Sequence, residues 1–175
     1  MARNIEIKAR VESLAAVMLR AAAIADQGPI VILQDDTFYH CPNGRLKLRK
    51  LSDHEGDLIF YQRTDQTGPK TSNYLISKTT QPDQLAQVLL SAFGISGCVK
   101  KHRTLYLAGR TRIHLDRVEG LGEFVELEVV LADNESQAEG SREAQRIMAR
   151  LDITPQQLVA GAYLDLIRLT KLVDP

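Results

Sequence analysis

FVELEVVL, residues 124–131, is the stretch on which the fold of this chain depends, because it places two carboxylates within an otherwise apolar run. Successive side chains of a β-strand point to opposite faces. Glu126 and Glu128 therefore share one face of a strand, and the valine and leucine side chains between them share the other. The apolar face can pack in a core, so the architecture depends on what surrounds the charged face.

Other segments alternate charged and apolar positions in the same way. NIEIKARV sets Glu6 and Lys8 against isoleucines, and GRLKLRK sets Lys47 and Arg49 against leucines. Two later segments repeat the pattern around positions 100 and 114. The remaining polar positions on these faces are Asn4, Arg10, Arg45, Lys101, Arg103, Arg112, His114 and Asp116.

Period-two alternation predicts eight strands, and the short turns between several of them favour antiparallel neighbours. Helical periodicity predicts a helix after a Ser13 N-cap and a second helix between Pro82 and Gly94. Two or three further helices are predicted near the C-terminus, which indicates the α+β class. The predicted strands span residues 3–11, 30–40, 44–51, 57–63, 72–79, 99–108, 111–118 and 123–131, and the predicted helices span 13–26, 82–93, 135–150 and 154–172.

Two architectures fit these elements. In the first, helices cover one face of an open antiparallel sheet, and the charged face is exposed to water. In the second, the eight strands close into a barrel just wide enough for one small ligand. The recurrence of arginine, lysine and carboxylates on one face of at least five strands favours the barrel. Because an unpaired buried ion costs several kcal/mol, such a lumen must hold water or a ligand that complements its charges. A large cationic set facing a smaller acidic set predicts a polyanion bridged by a metal cation.

Composition limits the possible partners and compartments. The 22 basic and 22 acidic side chains balance over 175 residues, so the chain projects no strong field toward nucleic acid or a membrane surface. We expect neither as a partner. The N-terminus lacks the apolar core of a signal peptide, which predicts a soluble cytoplasmic protein. Cys41 and Cys98 form no metal-binding motif. The length predicts one domain over residues 1–175.

Four of these stretches, taken together, resemble the CYTH domain: NIEIKARV, RLKLR at 45–49, KHR at 101–103 and HLDRVEGLGEFVELE at 114–128. This family is named after a bacterial class IV adenylate cyclase and thiamine triphosphatase, and belongs to the triphosphate tunnel metalloenzymes. YLDLI at 163–167 resembles the C-terminal helix of the family. The resemblance implies an eight-stranded antiparallel β-barrel with helices packed on its outside, which binds a triphosphate with Mg²⁺ or Mn²⁺. It also makes a homodimer plausible.

The resemblance also assigns roles to individual residues. Glu6, Glu126 and Glu128 match carboxylates that hold metal and support catalysis, and Asp116 matches a further catalytic acid near the metal. Hard divalent cations prefer such oxygen ligands, and arginine binds phosphate through its planar fork of donors. The positions that match phosphate-binding residues are Lys8, Arg45, Lys47, Arg49, Arg63, Lys101, Arg103 and Arg112.

One position departs from the family pattern. The first glutamate of the family's ExExK motif is Asn4 in this chain, which keeps an oxygen ligand but lacks a negative charge. This change weakens one metal site, or moves the ligation of a second metal onto Asp116 and the substrate. His114 could act as a base, although a hydrogen-bonded lumen residue is the favoured interpretation. The acidic pair at 35–36 is interpreted as fixing a strand or turn.

Three functions follow from the resemblance. The leading prediction is metal-dependent hydrolysis of inorganic triphosphate or a small organic triphosphate. An adenylate cyclase that converts ATP to cyclic AMP and pyrophosphate would use the same cradle, with the bound chain shifted by one phosphate. The third function is non-catalytic binding of triphosphate or polyphosphate, which the Asn4 substitution keeps open. The sequence does not decide among them.

Overall fold

Eight antiparallel strands close into a barrel in the computed structural model, which describes residues 1–173. Around the barrel, the strands follow the order β1, β5, β4, β3, β2, β6, β7, β8. The predicted α+β barrel with helices packed outside is therefore confirmed. The strands are β1 (Ala2–Val11), β2 (Gln27–Tyr39), β3 (Arg45–Ser52), β4 (Glu55–Arg63), β5 (Lys70–Thr79), β6 (Ile95–Ala108), β7 (Thr111–Val118) and β8 (Gly122–Val130), and the helices are α1 (Leu14–Ile24), α2 (Pro82–Phe93), α3 (Gln137–Arg150) and α4 (Tyr163–Val173).

The hydrophobic core lies outside the barrel wall, between the strands and the helices. The apolar faces of β1, β7 and β8 pack against α1 and α3, and burial of these side chains stabilises the wall. Because strand side chains alternate, this packing turns the charged faces of the same strands into the barrel. The core includes Ile5, Ile7, Val17, Ala21, Ile113, Leu115, Val125, Leu127, Ala144 and Ile147.

Helix α4 lies across the end of the barrel at which β1 ends and β6 begins. Tyr163 and Leu164 of this helix pack with Phe124 and Val99 in a second apolar cluster. The segment before the helix is tied to β1, because the Val159 amide donates to the Lys8 carbonyl over 3.0 Å. Helix α4 and the segment before it thereby pack over this end of the barrel.

Several element boundaries differ from the predictions. Strand β2 begins at Gln27 instead of residue 30, and β6 begins at Ile95 instead of residue 99. The predicted helical region 154–172 contains a 3-10 helix, Pro155–Gln157, and α4, with non-helical residues between them. Within the described residues, no helix is both long and apolar enough to span a bilayer. The predicted domain reaches residue 175, so its last two residues lie outside the described part, and the one-domain assignment stays a prediction.

The start of α1 is capped differently from the prediction. Ser13 occupies the N-cap position, but its side chain makes no capping hydrogen bond. Instead, the Leu14 amide donates to the Glu123 carboxylate over 2.8 Å. A long-range contact from β8 therefore satisfies one of the free amides that every helix N-terminus exposes.

Candidate functional site

The barrel encloses a cavity of about 280 Å³, lined by alternate residues of all eight strands. This volume is close to the lower end of the range for small-molecule sites, about 300–1,000 Å³. Cations outnumber acids along its wall. The lining cations are Lys8, Lys47, Arg49, Arg63, Lys101, Arg103 and Arg112, and the lining acids are Glu6, Asp36, Glu126 and Glu128.

Asp36 anchors two of these cations. Its carboxylate accepts from Lys47 Nζ over 2.7 Å and from Arg49 Nε over 2.8 Å. Burial alone would raise the pKa of Asp36, but Lys47 and Arg49 hold it far below its usual range. Burial also lowers the pKa of Lys47 to about 8, despite the opposing attraction of Asp36. The interpretation of residues 35–36 as structural is thus incomplete, because Asp36 belongs to the cavity wall.

Asp116 anchors a second pair of cations from behind the wall. It is 0% exposed and accepts from Arg103 Nε over 2.7 Å and Nη2 over 2.6 Å. Lys101 Nζ and the Tyr163 hydroxyl also donate to it, over 3.3 and 2.9 Å. Although burial would raise the pKa of Asp116, Arg103 and Lys101 hold it well below the ordinary value.

This placement corrects the expected role of Asp116. Its side chain is not among those that line the cavity, and four donor contacts already occupy it. It positions Arg103 and Lys101 instead of facing a ligand. The predicted transfer of metal ligation from Asn4 to Asp116 therefore does not fit the structure.

The acidic face of the cavity lies on β1 and β8. The strand register pairs Glu6 with Glu128 and Lys8 with Glu126. Lys8 Nζ lies 3.2 Å from Glu126 and 3.6 Å from Glu6, and Glu6 also pairs with Arg63. Burial would raise the pKa of Glu126, but Lys8 and Arg103 hold it well below the usual range.

Glu128 is less well compensated than its neighbour. Its nearest cation is Arg112, whose Nη1 donates over 3.2 Å. Burial raises the pKa of Glu128, and the negative charge of Glu126 raises it further. An additional cation beside Glu128 would favour its ionised form.

Two buried polar atoms beside these carboxylates lack a partner: Asn4 Oδ1 and His114 Nδ1 form no hydrogen bond. One ligand atom from each of His114, Glu126 and Glu128 lies within 4.8 Å of the others. Burial, together with the charge of Arg103, lowers the pKa of His114 well below its usual value, which keeps the imidazole neutral. Carboxylates and an unpartnered neutral imidazole are suitable donors for a divalent metal ion, so the side chains present fit one.

The remaining predicted phosphate-binding residues differ in placement. Arg63 lines the cavity with a side chain only 2% exposed, and its Nε and Nη2 atoms have no hydrogen-bond partner. Arg45 does not line the cavity, contrary to expectation. It pairs with Asp65 over 2.6 Å and Asp165 over 2.8 Å near the end covered by α4. Arg63 therefore offers buried donors to an anion, whereas Arg45 is already neutralised.

The two ends of the cavity differ. At one end, Ala162 and Tyr163 line the cavity, and Lys8 Nζ lies 4.1 Å from the centre of the Tyr163 ring. At the other end, where β1 begins and β5 ends, Ile76 is 52% exposed and the Arg112 side chain 40% exposed. Solvent reaches the cavity there. The lining at this mouth is mainly apolar, with Ile32, Tyr74, Ile76 and Leu105.

Sequence reasoning missed several residues of the site. Asp36 shares its strand face with Gln34 and Phe38, so the alternation of β2 did contain a signal for it. Lys70, which is 2% exposed and opposite Glu6 in the register, begins a strand that was predicted to start two residues later. Tyr163 comes from a helix, and no strand pattern indicates that a helix residue enters the lumen.

Comparison with known families gives one match that spans most of the chain. The model of the CYTH domain matches residues 2–163. No protein with a curated description matches the sequence.

Solved structures with the same architecture come from archaea, bacteria and plants. A protein of Pyrococcus horikoshii aligns with a TM-score of 0.81 at 22% identity, covering 94% of this chain and 99% of that chain. A candidate adenylate cyclase from Vibrio parahaemolyticus has a TM-score of 0.73 at 18% identity, covering 94% and 97%. A candidate adenylyl cyclase from Hippeastrum, described as revealing a dominant triphosphatase activity, has a TM-score of 0.65 at 16% identity, covering 95% and 96%. At these identities the similarity shows the fold alone.

Proposed function

The chain belongs to the CYTH domain family, and on that premise we propose that it binds a triphosphate inside the barrel and hydrolyses it with a divalent metal ion. The observation that carries the proposal is the imbalance of buried charge in the cavity. Seven cations and four acids line it, and two buried nitrogen atoms of Arg63 have no hydrogen-bond partner among the described residues. A polyanion would neutralise this excess and occupy those donors.

Different side chains of the cavity wall would have different roles in such a reaction. The Asp36 and Asp116 clusters hold Lys47, Arg49, Lys101 and Arg103 in place, so that these cations contact phosphate oxygens without reorganising. Glu6, Glu126 and Glu128 would hold the metal ion on β1 and β8. When bound, a divalent ion stabilises charge on the phosphate oxygens and lowers the pKa of a water molecule. Attack of water on the terminal phosphorus breaks its bond to the bridging oxygen and releases orthophosphate.

The mouth of the cavity supports a substrate with an organic group. Ile32, Tyr74, Ile76 and Leu105 offer apolar and aromatic surface beyond the charged region. Inorganic triphosphate has no group that would bury this surface, whereas a base or other ring on an organic triphosphate does. We therefore favour a small organic triphosphate over the inorganic compound.

A phosphate-release assay tests the proposal. Inorganic triphosphate, ATP and thiamine triphosphate are each supplied with Mg²⁺ and with Mn²⁺, and cyclic AMP is measured in parallel. We expect orthophosphate release with at least one organic triphosphate, and its loss in Lys47→Ala. Lys50→Ala is the matched control, since Lys50 lies on the same strand and pairs with Asp53 and Asp83 on the surface. Equal activity in the two variants would contradict the proposed site.

The same assay separates the other two functions. Cyclic AMP with pyrophosphate would identify a cyclase, in which the ribose 3′-hydroxyl attacks the α-phosphorus. Tight triphosphate binding without turnover under either metal would identify a binding protein. In that case, restoration of hydrolysis by Asn4→Glu would show that the missing charge limits the reaction. The cytoplasmic location, the homodimer and the expected absence of nucleic-acid and membrane partners stay predictions.

A further inference from the structure

His114 lies between two strands at the point where the acidic face of the cavity begins. The register of β7 and β8 places it directly opposite Glu126, and its Nδ1 lies 3.9 Å from Glu128 Oε1. The residue is 4% exposed and faces the cavity. A buried imidazole with a free ring nitrogen is therefore directed at two carboxylates.

Hydrogen bonding within the protein does not explain this arrangement. A separation of 3.9 Å is too long for a hydrogen bond to Glu128, and Nδ1 has no other partner. Leaving a buried polar atom without a hydrogen-bond partner is unfavourable. Glu126 is paired with Lys8 over 3.2 Å and Glu128 with Arg112 over 3.2 Å, but neither cation contacts His114 Nδ1. The space between Nδ1 and the two carboxylates is therefore a candidate position for a bound ion.

The spacing suits a metal ion. Nitrogen and oxygen ligands lie about 2.0–2.2 Å from a bound divalent transition ion, so ligands on opposite sides are about 4 Å apart. The three ligand atoms here lie within 4.8 Å of one another, which small side-chain movements would bring into range. Imidazole nitrogen is a favourable ligand for transition ions, whereas Mg²⁺ prefers oxygen and keeps several of its waters.

We propose that His114 Nδ1, together with Glu126 and Glu128, forms a metal site that selects divalent transition ions such as Co²⁺ and Zn²⁺ over Mg²⁺. The proposal deepens the proposed function, because it names the class of metal. It stands on the geometry of the chain alone and is tested without any triphosphate. Asn4, which replaces a carboxylate on the same wall, reduces the negative charge available to a hard ion and makes the nitrogen ligand more important.

Calorimetric titration of the metal-free protein tests the selectivity. Co²⁺, Mn²⁺ and Mg²⁺ are titrated separately, without phosphate, into the wild type and His114→Ala. We expect the variant to lose about tenfold or more of its Co²⁺ affinity, with a smaller loss for Mn²⁺ and little change for Mg²⁺. His102→Ala is the control, because His102 is exposed on the outer face of β6. Unchanged Co²⁺ affinity in His114→Ala would overturn the proposal.

Electron spin-echo spectroscopy of the Mn²⁺ complex tests the bond itself. A coordinated imidazole gives nitrogen modulation, which we expect in the wild type and in His102→Ala but not in His114→Gln. Its absence from the wild type would overturn the proposal even if His114→Ala fails to fold. Failure of hydrolysis would leave the titration and the spectrum unaffected. Conversely, normal hydrolysis with Mg²⁺ and unchanged Co²⁺ binding in His114→Gln would retain the proposed function and reject this metal site.

Discussion

Two buried aspartates organise the cationic wall at the level of single residues. Asp36 holds Lys47 and Arg49, and Asp116 holds Lys101 and Arg103. Ion pairs buried in this way are weak evidence for net stability, but removing one partner leaves an uncompensated charge. Each aspartate thus offsets the repulsion between its two cations and holds both side chains toward the cavity.

Removing the carboxylate charge of Asp116 should destabilise the protein. In Asp116→Asn, Arg103 and Lys101 lose their nearest counter-ion, and Glu126, 3.8 Å from Arg103, compensates only in part, so we expect the free energy of unfolding to fall by about 3–5 kcal/mol in urea denaturation. Asp152→Asn is the control, because its partner Arg20 is 41% exposed. That exposed pair should contribute little. Equal effects of the two substitutions would contradict the positioning role of Asp116.

Triphosphate affinity should depend on pH through Lys47. Burial, together with the charges of Arg49 and Lys101, lowers its pKa to about 8 against the opposing attraction of Asp36. The protonated ammonium is the form that binds phosphate, so affinity should be highest below pH 8 and fall as pH rises through that value. Calorimetric titration with a non-hydrolysed triphosphate measures this dependence.

A guanidinium side chain provides the control for this titration. In Lys47→Arg the guanidinium group stays charged at every pH used, so the dependence of triphosphate affinity on pH should be weaker than in the wild type. Burial also lowers the pKa of Lys70 to about 8. The Lys70→Arg variant therefore measures how much Lys70 contributes to the pH dependence of triphosphate affinity. A wild-type profile that stays level on both sides of pH 8 would contradict the assignment.

Most residues of the wall could be predicted, because alternation alone determines which side chains face inward. Glu6, Lys47, Arg103 and Glu126 were expected in one cavity, and all of them line it. Asp116 occupies the same strand face, yet lies behind Arg103. A two-residue period identifies the face of a side chain but not its depth, so the distinction between a ligand and its support required the three-dimensional structure.

At the level of elements, the contact of α3 with the barrel depends on the absence of a side chain. Gly140 is buried in the helix, and an added Cβ would lie 2.5 Å from Leu131 Cδ2 and 2.7 Å from Ile5 Cγ1. The helix can therefore approach the wall closely enough for Ala144 and Ile147 to join the core.

Gly140→Ala should destabilise the protein, although alanine is the better helix former by about 1 kcal/mol. Overpacking against Ile5 and Leu131 should exceed that gain and lower the free energy of unfolding by about 1–3 kcal/mol in urea. Gln145→Ala, at an exposed position of the same helix, is the control and should have little effect. A stabilised Gly140→Ala would show that α3 can shift without cost.

Element boundaries were less predictable than element types. Strand β2 extends back through Gly28 and Pro29, two residues typical of turns, and its pairing with β6 is irregular between Gln27 and Ile30. Leu158 and Val159 leave the helical path, because Ala9 and Lys8 of β1 pair with these two residues. Both outcomes result from contacts between distant parts of the chain, which local propensity does not contain.

For the whole molecule, overall neutrality conceals a separation of charge. The 22 basic and 22 acidic residues balance, yet cations exceed acids along the cavity wall. A net-charge argument excludes a strong external field but does not describe the interior. The excess of buried cations should make the folded state more stable when an anion occupies the barrel.

Triphosphate should therefore raise the stability of the folded protein. At a free concentration of 100 times Kd, binding to the folded state alone contributes about 2.7 kcal/mol. Thermal unfolding with inorganic triphosphate should show a Tm that rises with ligand concentration, whereas sodium chloride at the same ionic strength should shift it little. An unchanged Tm in the wild type, despite measured binding, would show that the unfolded chain binds the ligand equally well.

Tyr163 and α4 pack over one end of the barrel, whereas Ile76 and Arg112 are exposed at the other, so we expect a ligand to enter through the exposed end. The part of the ligand that binds deepest must enter first, and it can leave only after the rest of the ligand has left. In a reaction that cleaves the innermost bond of a linear ligand, the product nearest the exposed end would leave first and the deeper product second. The shape of the cavity would then determine the order of product release, independently of the reaction that takes place inside.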